Sequence, residues 1–393
     1  MIGAVPSLTA SYWRLWTART ISFTGDSLSL VALMVHVADS TGRALAVALL
    51  LLVGDFAPAL LGPLTGAIAD RYGRRRVMVG CEVVQGLLVA AIAIWLPPLP
   101  VLLVLVGLRA IAGQLFQAAS RSVVPELVPD ARLARANTLL GLGTNGGEAL
   151  GPIAAAALLA VSDIRGVLLV DAATFAVSAV LLLRMPASPS APEPGGSLLG
   201  DTREGLRYIF TTRLVRAVGL GFFSVVLFNG IDDVALVFLA TETFDAGEAA
   251  AGLLLAGVGI GLFAGYLLLT RTVRLSMVTL LLLGFAVSSA GNLATGFAWA
   301  VWAAMAVQVV RGLGIAAMDV ASNTLIQREV PAELLGRVFG TLYGAIGVAA
   351  ALSYLGGGAL LEITSPPVAF VVAGTGGLVA TVLTWTALRR VRS

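Results

Sequence analysis

Nine side chains able to carry charge stand inside long apolar runs of this sequence: Asp26, Asp55, Arg109, Glu148, Asp171, Asp232, Asp233, Arg311 and Asp319. Seven are acids and two are bases. An ionisable group in hydrocarbon is costly, so by default it marks a pathway, a proton relay or a charged partner. Low dielectric favours the neutral form of a carboxyl, which makes protonation available near neutral pH. Such a group can hold a proton or a cationic solute, but not both well at once. That competition is the simplest chemistry for exchanging one against the other. Asp26, near the middle of its run, is the first choice for the titrating carboxyl. Glu148, Asp232 and Asp233 are assigned to proton coupling with it, and Asp26, Asp55, Asp171, Asp232, Arg311 and Asp319 to a solute cavity. Asp232 and Asp233 are adjacent and point about 100° apart on a helix, so at most one faces such a cavity squarely. Arg109 and Arg311 also have a plainer reading, as partners that neutralise acids on neighbouring helices.

The runs that must position these groups dominate the chain. Of 393 residues, 58% are hydrophobic and 12% charged, and the mean hydropathy is +0.95. Soluble domains carry about 25% charged residues. A helix of about 20 apolar residues crosses roughly 30 Å of hydrocarbon. Runs of that length fall near 13–37, 44–69, 77–96, 99–122, 135–161 and 165–184, and again near 215–241, 249–270, 275–296, 299–322, 335–361 and 367–388. The fold class expected is an all-α polytopic membrane protein with twelve transmembrane helices in two halves, residues 1–184 and 214–393. Between them, 185–213 reads as a cytoplasmic linker, rich in Pro and Gly to residue 200 and then amphipathic, with Leu206, Ile209 and Phe210 on one side and Arg203, Arg207 and Arg213 on the other.

All 25 basic residues are Arg. Apart from Arg43 and Arg165 outside and Arg109 and Arg311 at membrane depth, they fall on or near one face, which the positive-inside rule makes cytoplasmic, together with both termini. Spread over many short loops, they do not suggest nucleic acid as a partner. Without lysine there is no Walker-type phosphate loop. The single cysteine, Cys81, permits no internal disulfide, and no His/Cys metal constellation or nucleophile elbow is present, so neither an enzyme nor a cofactor or metal site is expected. A shift of 202 residues aligns Arg14 with Arg216, Arg109 with Arg311, Ser120 with Ser322, Pro129 with Pro331 and Arg135 with Arg337, the mark of a parallel internal repeat.

One charged hinge joins two of the runs: Gly66-Ala67-Ile68-Ala69-Asp70-Arg71-Tyr72-Gly73-Arg74-Arg75-Arg76. Gly66 permits close helix approach and Gly73 a turn that a side chain would obstruct. The order Gly-x-x-x-Asp-Arg-x-Gly-Arg-Arg resembles the loop between helices 2 and 3 of the major facilitator superfamily of secondary transporters, with Ile68 where that pattern often has Leu. The resemblance covers essentially the whole chain. It implies a conformational latch of Gly66, Asp70, Arg71, Gly73, Arg74 and Arg75, with Asp70 approaching the start of helix 11 near Arg337, and Arg71 or Arg74 reaching Glu126 or Asp130. The plainer reading is that Asp70 tempers the arginine cluster and sets topology. Arg109 resembles the family's helix 4 arginine, thought to bias a nearby carboxyl. Gly147-x-x-x-Gly151-Pro152 resembles the helix 5 motif of the antiporters, with Ala155-Ala156 in place of the closing glycine pair. Small-residue packing alone would also account for these glycines. The Gly25-Asp26 step, Val128-Pro129-Asp130 and Val330-Pro331 through Gly336-Arg337 resemble the branch of enterobactin-type exporters and macrolide-type efflux proteins.

The function expected is export of a small amphipathic, neutral or cationic compound such as a drug, by proton antiport, from a monomer in the cytoplasmic (inner) membrane. Its partners are then a small-molecule substrate, protons and the lipid bilayer. Rivals are a siderophore or metabolite exporter, a nutrient or lipid symporter or facilitator, and a membrane sensor that binds ligand without moving it.

Overall fold

A computed structural model describes residues 8–42, 44–186, 198–271 and 275–392, and no strand occurs among them. The helices are α1 (Ala10–Thr41), α2 (Ala44–Leu60), α3 (Gly62–Arg71), α4 (Arg74–Trp95), α5 (Leu99–Ser122), α6 (Val124–Leu127), α7 (Leu133–Leu159), α8 (Ile164–Leu183) and α9 (Leu198–Thr211). Then follow α10 (Arg213–Asn229), α11 (Asp232–Phe238), α12 (Gly247–Arg271), α13 (Met277–Thr295), α14 (Val301–Glu329), α15 (Leu335–Ile363) and α16 (Pro366–Arg392). Among the described residues, ten helical segments are long and apolar enough to cross a membrane. Their outer faces are apolar where a soluble protein's would be polar: Leu87, Ile94, Ile153 and Leu268 are each about two-thirds exposed. Side chains of this kind lower free energy only against hydrocarbon.

Two of the apolar runs are not single helices. The run 44–69 breaks at Leu61, between α2, which carries Pro58 inside it, and α3, which opens on Gly62 and Pro63. Proline lacks the N–H that would continue the helical ladder, and α3 takes its proline where none is needed. The run 215–241 breaks at Gly230 and Ile231, and α11 then runs into a π turn over Leu239–Thr243. Hydropathy registers neither break, because both keep the chain apolar. Of the expected linker, residues 187–197 lie outside the described residues. In α9, Ile209 is buried while Phe210 is exposed, so Phe210 does not share Ile209's packing.

The 202-residue repeat reappears in the elements. A single 3-10 turn covers Asp130–Arg132 before α7 and Ala332–Leu334 before α15. Pro129 and Pro331 hold the extended backbone that ends the preceding helix in each case. Packing partners also correspond: α4 lies on α5 and α8, and α13 on α14 and α16.

The chain divides into two compact units. The first comprises residues to Leu206 with Val330–Gly344, the beginning of α15. In it, α1 packs along α7 and α8, and α5 receives α2, α3 and α4. Tyr12 donates its hydroxyl to the Ala136 carbonyl at 2.8 Å and Trp16 its indole N–H to the Leu139 carbonyl at 2.7 Å, tying the start of α1 to α7. The second unit holds Arg207–Glu329 and Ala345–Ser393, centred on α13, α14 and α16.

Candidate functional site

In the first unit, α1, α5 and α8 bring three of the expected groups together. Arg109 donates from Nη1 to Asp26 Oδ1 at 2.5 Å and has Asp171 Oδ2 at 3.8 Å. Asp171 is fully buried and accepts from the Ser29 hydroxyl and, at 3.2 Å, from Thr174. Gly25 makes the convergence sterically feasible, since a Cβ there would fall 2.3 Å from Asp171 Oδ1 and 2.2 Å from Thr174 Oγ1. Asp26 keeps 29% of its side chain exposed, against 12% for Arg109 and none for Asp171. One guanidinium therefore neutralises two carboxylates of unequal access to water. The more exposed carboxylate makes the close contact with the arginine, and the buried one stands farther off, held by Ser29 and Thr174.

The second unit carries a related pair. Arg311 is 1% exposed, forms an ion pair with Asp232, and donates to Gln308 Oε1 at 2.5 Å. Gln308 is held in turn by Thr295 at 3.1 Å. The break at Gly230 lets Asp232 open the short helix α11 instead of continuing α10. Asp319 accepts from Tyr266 at 2.9 Å and from Asn323 at 2.8 Å. The side chains of Asp55, Glu148, Pro152 and Asp233 lie outside those the structure describes. Gly147 and Gly151 face α1, where a Cβ would come 2.6 Å from Thr24 Oγ1 and 2.3 Å from Ser27 Cβ. Close helix packing thus accounts for both glycines.

At the hinge, Gly73 takes φ +81°, a conformation that favours glycine. Asp70 accepts from the backbone N–H of Gly336 and of Arg337, both at 2.9 Å, at the first turn of α15. A helix start offers unpaired N–H groups and the positive end of its dipole, so a carboxylate docks there naturally. Gly66 brings α3 against that turn, its position lacking room for a side chain: a Cβ would sit 2.2 Å from the Gly336 carbonyl oxygen. Arg74 bonds Glu126 and the Ala332 carbonyl, Arg75 the Leu183 carbonyl, and Arg71 reaches Asp201 at 3.7 Å. Asp201 also lies 3.3 Å from Arg337, which bonds Glu204 as well. Asp130 opens the turn before α7. Asp70 lies just past its apolar run, and burial pushes its carboxyl up to about 6 against the opposing pull of the two N–H groups, Arg74 and Arg337.

Two buried charged groups are absent from the residues singled out by sequence. Arg19, 2% exposed, donates to Ser120 at 2.6 Å, Gln117 at 3.1 Å and Thr144 at 3.2 Å. Glu82, 1% exposed, stands on α4 within electrostatic reach of Asp26 and Asp171. Both lie inside apolar runs, 13–37 and 77–96, and the criterion that selected the other nine applies to them equally.

A family model described as Major Facilitator Superfamily matches residues 15–341 and 218–393. An uncharacterized MFS-type transporter, YfiS, of Bacillus subtilis is 28% identical, over 92% of this chain and 89% of that one. Macrolide efflux protein A of Streptococcus pyogenes is 22% identical, over 85% of each. Among solved structures, a bacterial homologue of the iron transporter ferroportin in an outward-facing state superposes with a TM-score of 0.80 at 18% identity, covering 97% of this chain and 100% of that one. The human organic anion transporter MFSD10 gives 0.81 at 18% identity, over 95% and 99%.

Proposed function

This chain belongs to the Major Facilitator Superfamily, as a multi-pass membrane transporter resembling the macrolide-efflux branch, and we propose that it exports a small amphipathic neutral or cationic compound in exchange for protons. The observation that carries the reading is the Asp26–Arg109–Asp171 cluster, where a partly water-exposed carboxylate shares one buried guanidinium with a sealed one. Protonation of Asp26 would free Arg109 to Asp171, and loss of that proton would draw it back, so proton occupancy can bias the helices that carry these groups. Ten spans together with α2–α3 and α7 make twelve, six in each of two halves, 1–184 and 214–393. The substrate-facing groups in this reading are Asp26, Asp232 and Asp319, with Asp171 and Arg311 buried behind them as charge partners, and the protein sits in the cytoplasmic membrane with both termini inside. Macrolide efflux in a relative supports a drug-like cargo.

Inverted membrane vesicles given a fluorescent amphipathic cation or a macrolide in the external medium, with and without an imposed pH gradient, test this directly. Gradient-driven uptake that collapses with an uncoupler is expected. Movement in the same direction as protons would replace antiport by symport, and saturable binding without accumulation would replace transport by sensing.

A further inference from the structure

Glu82 is a carboxyl that the Arg109 cluster does not neutralise. It sits on α4, 1% exposed, and neither of its oxygens has a hydrogen-bond partner among the described residues. The hydroxyls of Ser22 on α1 and Ser178 on α8 stand close enough to favour its charge weakly, but neither oxygen of Glu82 meets hydrogen-bond geometry. The charged groups on the elements packed around it are Asp26 of α1, Asp171 of α8 and Arg109 of α5, with Cys81 adjacent on its own helix. No ion pair joins Arg109 to Glu82 among the described residues, and its Nη1 is already shared between Asp26 and Asp171. If ionised, three carboxylates would face one guanidinium inside an apolar span. A buried carboxylate with no counter-charge and no well-formed hydrogen bond is among the least tolerable states in a protein interior, and neutralisation is its usual escape.

We infer that Glu82 carries a bound proton, making it a proton-storage site behind the solvent-open Asp26. In this arrangement Asp26 exchanges protons with water, being the most exposed acid of the cluster. Glu82 keeps its proton as long as the site is dry, and its charge is tolerable only when Asp26 or Asp171 is itself protonated. The electrostatic link to both acids ties the charge Glu82 can bear to theirs. The protonation does not depend on antiport. Only its consequence for coupling rests on the exchange reading above.

The test is infrared difference spectroscopy on the full-length protein in lipid nanodiscs, stepping pH at constant ionic strength. The wild type is expected to show a protonated-carboxyl C=O band at neutral pH. Glu82→Gln should remove one such band, and Glu82→Asp should keep a band at a shifted position, which also guards against a Gln variant that fails to fold. A band unaltered in Glu82→Gln, or none in the wild type, overturns the proposal. Disappearance of the band when choline is replaced by sodium at fixed pH would overturn the proton as occupant in favour of sodium. In inverted vesicles, Glu82→Gln should lose stimulation by the pH gradient while retaining substrate–substrate exchange. Gradient stimulation at the wild-type level in that variant would overturn the storage role. A Glu82-dependent band in a wild type whose transport ignores pH would uphold the bound proton and sink antiport instead.

Discussion

The two membrane arginines are held differently, and their acids should respond differently to neutralisation. Arg311 is almost wholly buried with a 12% exposed Asp232, whereas the Arg109 partner Asp26 is 29% exposed. Breaking a buried pair from one side costs roughly 3–5 kcal/mol, while water access lowers the cost. Asp232→Asn is therefore expected to lower the thermal unfolding midpoint in detergent well below that of Asp26→Asn. In vesicles the order should invert for coupling, with Asp26→Asn losing gradient-driven export yet still binding substrate. A fluorescence-based unfolding curve and a ligand-binding titration on each purified variant check the pair. Proton-driven export unchanged in Asp26→Asn would remove that carboxyl from the coupling mechanism.

At the scale of elements, the contact between α3 and the start of α15 concentrates the hinge residues on one helix end. Asp70→Ala leaves the Gly336 and Arg337 N–H groups without their acceptor and Arg74 and Arg337 without their nearest buried carboxylate. A loss of about 1–2 kcal/mol is expected from the helix-end charge and the unpaired donors. That would move a balanced equilibrium about five- to thirtyfold. Single-cysteine reporters on α15, in a Cys81→Ser background, should gain reactivity accordingly. The pH dependence has a definite sign. Docked Asp70 holds its proton up to about 6, above the ordinary 3.8 of a free aspartate. Acidification from pH 7 toward 4 therefore strengthens docking, and the gain is lost as pH rises through about 6. Relative to a free thiol at the same pH, which corrects for the thiolate fraction, reporter reactivity should fall with falling pH in the wild type and stay flat in Asp70→Asn, which cannot titrate. Equal pH profiles for the two would mean that Asp70 is not the titrating group at the hinge.

For the whole molecule, the arginine distribution makes a topological prediction. Cysteines placed singly at Arg43 and Arg165 in the Cys81→Ser background should react with a membrane-impermeant maleimide added to intact cells. Those at Arg76 and Arg203 should react only after the membrane is opened. Labelling in the opposite pattern would reverse the orientation. The repeat bears on the same scale. Its proline-ended turns and helix starts recur at the sequence offset, yet Asp26 and Asp232 do not correspond under it. The two arginines keep their register while the acids that meet them do not. Each half has thus kept a membrane arginine and found its own counter-charge.

Hydropathy and the positions of arginine, both read residue by residue, were enough to establish a helical multi-pass chain, and the order of residues in the hinge was enough to suggest its family. The cost of polar backbone in hydrocarbon leaves helices as nearly the only solution for such runs, so that inference needs no distances. Gly73 and Gly66 were legible for a similar reason, because a turn and a close approach each demand glycine locally. The tertiary structure alone decided which charge meets which. Arg109 takes Asp26 and Asp171, Arg311 takes Asp232, and of the two hinge arginines it is Arg74 that reaches Glu126 while Arg71 turns to Asp201. It also decided that Glu82 faces two acids without a hydrogen bond and that α3 begins anew at Gly62. Partners in space lie on helices far apart in sequence, and one carboxyl in an apolar run looks like another until packing determines what lies opposite it.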